Sequence, residues 1–101
     1  TEHRVLASLA SGGAPGPASS MLKTQATEMI QRLDELAVEA CGFYAGYDQI
    51  EARKPGANIS AAGPDYALLA MARYLNNRAA SIYGGSNEIQ RNIMAQLLLG
   101  L

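Results

Sequence analysis

Tyr83-Gly84-Gly85-Ser86 is the stretch of this 101-residue chain whose residue types and order could do chemistry. Two successive glycines remove two Cβ atoms, which makes positive φ and the close approach of another molecule easy. Ser86 is a good helix N-cap, and Glu88 falls in the first turn, where negative charge suits the helix dipole. A glycine pair that feeds a helix N-terminus leaves backbone N–H groups available, and such a corner can hold a phosphate or a carbonyl oxygen. The same residues also make a plain corner between two helices with no ligand, since Gly-Gly before a helix is common.

The elements that position this corner are helices. Ile89, Ile93 and Leu97 recur at four-residue spacing, so a last helix is predicted over about 86–98, closed by Gly100. Pro64 marks the start of the helix before it, about 64–82, with Tyr66, Leu69, Ala79 and Ile82 on its apolar stripe. The connection between the two is short, so a sharp bend is expected at Gly84-Gly85. Further upstream, Pro17 suits a first helical turn, and a long helix is predicted from Pro17 to Cys41 with Gly42 at its C′ position. Leu22, Ala26, Met29, Leu33, Leu36 and Ala40 follow alternating three- and four-residue steps, the pattern of a bundle-facing seam. Glu28 and Arg32 stand four apart on the polar side as a solvated pair. Glu28, Asp34, Glu35 and Glu39 are assigned to that solvent-facing side.

Residues 1–10 read as a short helical stretch, and Ser11 to Gly16, with three glycines and Pro15, as a loop. Phe43 to Gly63 has little periodicity. Phe43, Tyr44 and Tyr47 form a local aromatic cluster expected to pack on the bundle, and Arg53-Lys54-Pro55-Gly56 reads as a turn. A connection of ~20 residues is either a binding loop or a surface excursion. No β-alternation and no internal repeat is visible. The fold class is all-α, an antiparallel helical bundle.

Composition narrows the function. A net charge of −1 makes no electrostatic case for nucleic acid or an acidic membrane. No apolar run approaches the ~20 residues of a membrane helix. Cys41 is the single cysteine, which fits a reducing cytoplasm and a small buried residue. His3 is the single histidine, so a histidine-based metal cluster or catalytic triad within the chain is excluded. The tyrosines are expected in the core.

Ile82-Tyr83-Gly84-Gly85-Ser86-Asn87-Glu88-Ile89-Gln90-Arg91-Asn92-Ile93, with its Leu99-Gly100-Leu101 ending, closely resembles the C-terminal signature of acyl-CoA dehydrogenases. Gly16-Pro17-Ala18-Ser19-Ser20-Met21-Leu22-Lys23 also resembles a segment that opens a helix of their last domain. The resemblance covers roughly residues 15–42 and 64–101. It implies a partial C-terminal four-helix bundle, residues 1–101, of a longer FAD enzyme that oxidises acyl-CoA to 2-enoyl-CoA and passes electrons to an electron-transferring flavoprotein or similar acceptor. The first bundle helix and the N-terminal domains would precede Thr1. A homo- or hetero-oligomer is implied, and the wording is similar to bacterial members of the pimeloyl-CoA type.

By that resemblance the backbone N–H of Gly84 would bond the thioester carbonyl, and Tyr83 would line the acyl pocket. Gly85, Ser86 and Glu88 match positions that approach FAD. As an anion at a helix N-terminus, Glu88 is better placed on the adenine or ribose than on phosphate. Many family members carry a catalytic Glu where this chain has Gly84, which cannot take a proton. The base then comes from an earlier helix, from a partner subunit, or is absent, and the chain is a non-catalytic dimerising scaffold. No catalytic residue is assigned here. Arg91 and Arg78 have two readings each, a site contact or a surface arginine.

Overall fold

A computed structural model describes residues 1–14, 16–47 and 49–101. Pro15 of the predicted loop lies outside them. The chain is all-α: the described elements are helices and helical turns. They are α1 (Glu2–Ala10), α2 (Pro17–Cys41), α3 (Ile50–Arg53), α4 (Ala70–Asn77) and α5 (Asn87–Met94), with 3-10 turns at Gly42–Gly46, Asp65–Ala67 and Arg78–Ser81. A π-helical turn, Ala95–Leu99, extends α5 and ends at Gly100 in the left-handed region, as predicted for that glycine. Gly42, at φ +59, stops α2 as expected. The chain forms two compact units, one from Thr1–Met29 with Ala80–Leu101, the other from Ile30–Ala79.

In the Ile30–Ala79 unit, Cys41, Ala45, Ala67 and Ala70 form a small core, with Val38 and Met71 packed against it. Cys41 is core, as expected. At the other end of α4, Asn77 Nδ2 donates to Asp34 Oδ2 at 2.8 Å, and Gln31 Nε2 donates to the Asn77 carbonyl at 3.2 Å. Asn77 opposite Asp34, and Ala70 beside Cys41, set α4 antiparallel to α2. This corrects the assignment of Asp34 to the solvent-facing side. Its carboxylate is buried, at 7% exposure, and a buried carboxylate needs a donor, which Asn77 supplies.

The predicted helix over 64–82 is broken. Pro64 is extended, a 3-10 turn follows, α4 covers only eight residues, and a second 3-10 turn ends the segment. Tyr66, Leu69 and Ile82 from its expected stripe are exposed, whereas the small Ala67 and Ala70 are buried. Tight 3-10 turns bring backbone close to backbone, and only small side chains fit there. The tyrosine expectation fails for four of the five: Tyr44, Tyr47, Tyr66 and Tyr83 are exposed.

The connection after α2 has more structure than its sequence suggests. The Gln49 side chain grips residue Ala62 twice, donating to its carbonyl at 3.2 Å and accepting from its N–H at 2.7 Å. Gly63, at φ +74, lies under the Tyr44 ring, where a Cβ would sit 2.5 Å from two ring carbons. Phe43 does not pack on the bundle but is 98% exposed.

α2 overturns the seam. Within this chain it buries Ser20, Thr24, Asp34 and Cys41, a stripe with the same three-and-four spacing on the opposite face. The apolar stripe is left largely to solvent, with Met29 59% and Leu33 57% exposed. Helical periodicity identifies two faces but not which one meets a partner in the same chain. The Glu28–Arg32 pair is also replaced: Arg32 Nη1 reaches Glu35 Oε2 at 2.9 Å, and Glu28 binds Arg91.

Two outcomes test this packing. Gly63→Ala should destabilise the chain more than Gly56→Ala in urea denaturation. Both meet the penalty of a left-handed alanine, roughly 1–2 kcal/mol, but only Gly63 meets a ring. The exposed stripe of α2 should drive self-association of the 101-residue chain at high concentration, read by light scattering. Met29→Glu with Leu33→Glu should return it to monomer mass.

Candidate functional site

The corner lies in the unit formed by Thr1–Met29 and Ala80–Leu101. Gly84 and Gly85 have φ +66 and +85, conformations that side chains strongly disfavour. Ser86 is extended, and its Oγ accepts from the Ile89 N–H at 3.3 Å while its carbonyl accepts from Gln90 N–H at 2.9 Å. The N-cap is the predicted one. Because that hydroxyl accepts within the helix, its own proton remains for a further acceptor. Glu88 sits in the first turn of α5 and Arg91 in the last, each favourable to the helix dipole.

The glycines have no side chains to hold them, so the corner is held by its carbonyl oxygens. Lys23 Nζ, from α2, donates to Gly85 O at 2.8 Å. Gln90 Nε2 donates to Gly84 O at 3.4 Å. Among the described residues no peptide bond is cis. In a trans peptide the carbonyl of one residue and the N–H of the next point in opposite directions. The Gly85 N–H therefore points away from Gln90, and the Ser86 N–H away from Lys23.

Lys23 also donates to Asn87 Oδ1 at 2.8 Å. Asn87 is buried, at 3% exposure, and its Nδ2 donates to Thr27 Oγ1 at 3.1 Å. An ammonium can only donate, so the amide oxygen must face Lys23 and the amide nitrogen Thr27. Thr27 then spends its one proton on the Lys23 carbonyl, 2.9 Å away. Among the described residues no buried side-chain nitrogen or oxygen lacks a partner. Glu28 and Arg91 form an exposed ion pair further along the two helices. Lys23 and Thr27 meet Asn87, and Glu28 meets Arg91, so α5 ascends α2 in the same sense.

The sequence-derived site residues thus occupy one surface corner. Tyr83, Gly84, Gly85 and Glu88 are exposed, and Ser86 is half-buried. A Cβ on Gly84 would meet nothing within 4 Å, which leaves its face open to a ligand. A Cβ on Gly85 would fall 2.5 Å from Gln90 Nε2. Arg91 pairs with Glu28, and Arg78, in the other unit, reaches Glu35 Oε1 at 3.5 Å and lies 5.3 Å from the centroid of the Tyr74 ring. Sequence reasoning missed Lys23, Thr27, Asn87 and Gln90 as supports. The available signal was the stripe of Ser20, Thr24 and Thr27, whose hydroxyls mark a face that buries polar partners.

Residues 2–99 match the family model for the acyl-CoA dehydrogenase C-terminal domain, and the chain belongs to that family. A 28-residue stretch is 71% identical to acyl-CoA dehydrogenase IpdE1 of Mycolicibacterium smegmatis. The same identity over 28 residues holds for acyl-CoA dehydrogenase IpdE1 of Mycobacterium tuberculosis. The stretch covers 28% of this chain and 7% of either relative, so only a small part of their length is matched. No solved structure matches the chain. No helix among the described residues is long and apolar enough to cross a membrane.

Asn87→Ala should cost about 1–3 kcal/mol, because it leaves the Lys23 ammonium and the Thr27 hydroxyl each short of one partner in a partly buried place. Ser86→Ala, a lost N-cap, should cost about 1 kcal/mol. Denaturant unfolding of the two variants checks the order.

Proposed function

We propose that this chain is part of the C-terminal domain of an FAD-dependent acyl-CoA dehydrogenase, and that the Gly84-Gly85-Ser86 corner forms part of its flavin and thioester site. The observation that carries this reading is the orientation of the corner. Its carbonyls are held from within, its following N–H groups point the other way, and no side chain covers Gly84. Donors fixed at Gly85 and Ser86 suit a polar or phosphate-bearing cofactor, and the bare face of Gly84 lets a thioester approach.

In this reading the Gly84 N–H binds the thioester oxygen, which gains charge as the α-proton leaves. Tyr83 lines the acyl chain. The donors at Gly85 and Ser86, at the start of α5, suit the polar and phosphate-bearing parts of FAD. Exposed Glu88 carries like charge to phosphate and so belongs on the adenine or ribose. When bound, the flavin supplies acceptance of the β-hydride. The α-proton goes to a carboxylate outside this corner, since Gly84 offers no side chain. The rest of the flavin site, the earlier domains and the acceptor, an electron-transferring flavoprotein or similar, belong to a longer polypeptide and its partners, in an oligomer working in the cytoplasm.

Gly84 also supports a second reading, a non-catalytic helical subunit that keeps the family scaffold and dimerises with an active partner. One experiment separates the two. The full-length protein, purified alone, should carry FAD, and anaerobic addition of its acyl-CoA should bleach the absorption of the oxidised flavin. Full-length protein that binds FAD but bleaches only when a second subunit is added supports the scaffold reading. Protein that binds neither FAD nor acyl-CoA, alone or with a partner, overturns both. The isolated 101-residue chain should bind FAD poorly, and stoichiometric flavin on it would contradict the shared site.

A further inference from the structure

We infer that Lys23 is a positioning residue of this site: its ammonium sets the direction of the Ser86 N–H at the glycine corner. The inference rests on the function proposed above and adds a residue to it. Gly84 and Gly85 are the residue type that loses most conformational freedom on ordering, and they stand together in left-handed backbone. No side chain of their own can anchor them. The contact that reaches them from α2 is Lys23 Nζ to Gly85 O, at 2.8 Å.

The same nitrogen donates to Asn87 Oδ1, also at 2.8 Å. One atom therefore ties the last residue before Ser86 to the first residue of α5. The two acceptors flank Ser86: the charge-assisted bond to Gly85 O fixes the Gly85–Ser86 peptide plane, and the one to Asn87 Oδ1 anchors the next residue by its side chain. With Gly85 O drawn to Lys23, the Ser86 N–H must point the other way. Release of that carbonyl frees the plane to rotate, and the Ser86 donor rotates with it. Gln90 does not replace Lys23, because its bond goes to the preceding carbonyl and is long, at 3.4 Å. An ammonium has three protons, and these two bonds use two of them.

The Glu28–Arg91 pair offers an internal control. It also joins α2 to α5, but it is exposed and touches neither glycine. A role confined to docking α5 would make Glu28→Gln and Lys23→Met behave alike. A positioning role separates them. Lys23→Gln, which keeps a neutral donor, covers the case in which the methionine variant does not fold.

The test uses the full-length protein carrying Lys23→Met, Lys23→Gln or Glu28→Gln, each shown folded by circular dichroism. Two quantities are read: hydrogen exchange at the Ile89 and Gln90 amides, which both bond to Ser86, and the dissociation constant for FAD with the flavin absorption spectrum. Lys23→Met should raise exchange at both amides at least tenfold, weaken FAD at least tenfold and shift the flavin band. Lys23→Gln should give at least threefold changes in the same direction. Glu28→Gln should change each by less than twofold. Exchange and FAD affinity that stay within twofold in both lysine variants overturn the inference, as do losses matched by Glu28→Gln. If the wild-type protein binds no FAD yet the lysine variants speed exchange, the positioning of the corner stands and the functional reading falls. If the wild-type protein binds FAD and the lysine variants change nothing, the reverse holds.

Discussion

The Lys23 ammonium, bonded at 2.8 Å to both Gly85 O and Asn87 Oδ1, is the contact on which the corner depends. A glycine pair is useful at a site because it is bare, and unstable there for the same reason. Side chains that would order it would also fill the space a ligand needs. A cation reaching in from a neighbouring helix resolves the conflict, since it grips the backbone from behind and leaves the front face open. Asn87 completes the arrangement by satisfying the ammonium, and Thr27 satisfies Asn87 in turn. The chain of donors and acceptors ends on a main-chain carbonyl of α2, and among the described residues no buried side-chain nitrogen or oxygen is left unpaired.

This polar seam explains why α2 packs as it does. Its buried face carries Ser20 and Thr24, and its apolar face carries Met29 and Leu33. Burying hydroxyls is inexpensive where each finds a partner, and Thr24 Oγ1 finds the Ser20 carbonyl at 3.0 Å. In the second unit the same face presents Gln31 and Asp34 to Asn77, so the device recurs with a carboxylate in place of the ammonium. Small residues do the apolar work between, with Ala45, Ala67 and Ala70 around Cys41. Close backbone approach, rather than large side chains, sets the thickness of that core.

Much of the fold was legible. The start of α2 at Pro17, its end before Gly42, the N-cap at Ser86 and the stop at Gly100 each follow from a residue with a strong local preference. The long motif around Gly84-Gly85 pointed to the family that residues 2–99 match. Less legible was the segment 64–82, where an apolar stripe suggested one helix and the backbone makes two 3-10 turns around a short one. Hydropathy records which residues avoid water in general, and it is silent on how closely two backbones approach.

The sequence by itself determined the helical class, the two ends of α2, the start of α5 and the place of the glycine corner, because caps, prolines and glycines act within a few residues of themselves. Only the tertiary structure decided which face of α2 turns inward, that Asp34 is buried, and that Lys23 holds Gly85 across 62 positions of sequence. Such pairings depend on donors and acceptors meeting across helices, and a linear pattern carries the groups without their encounters.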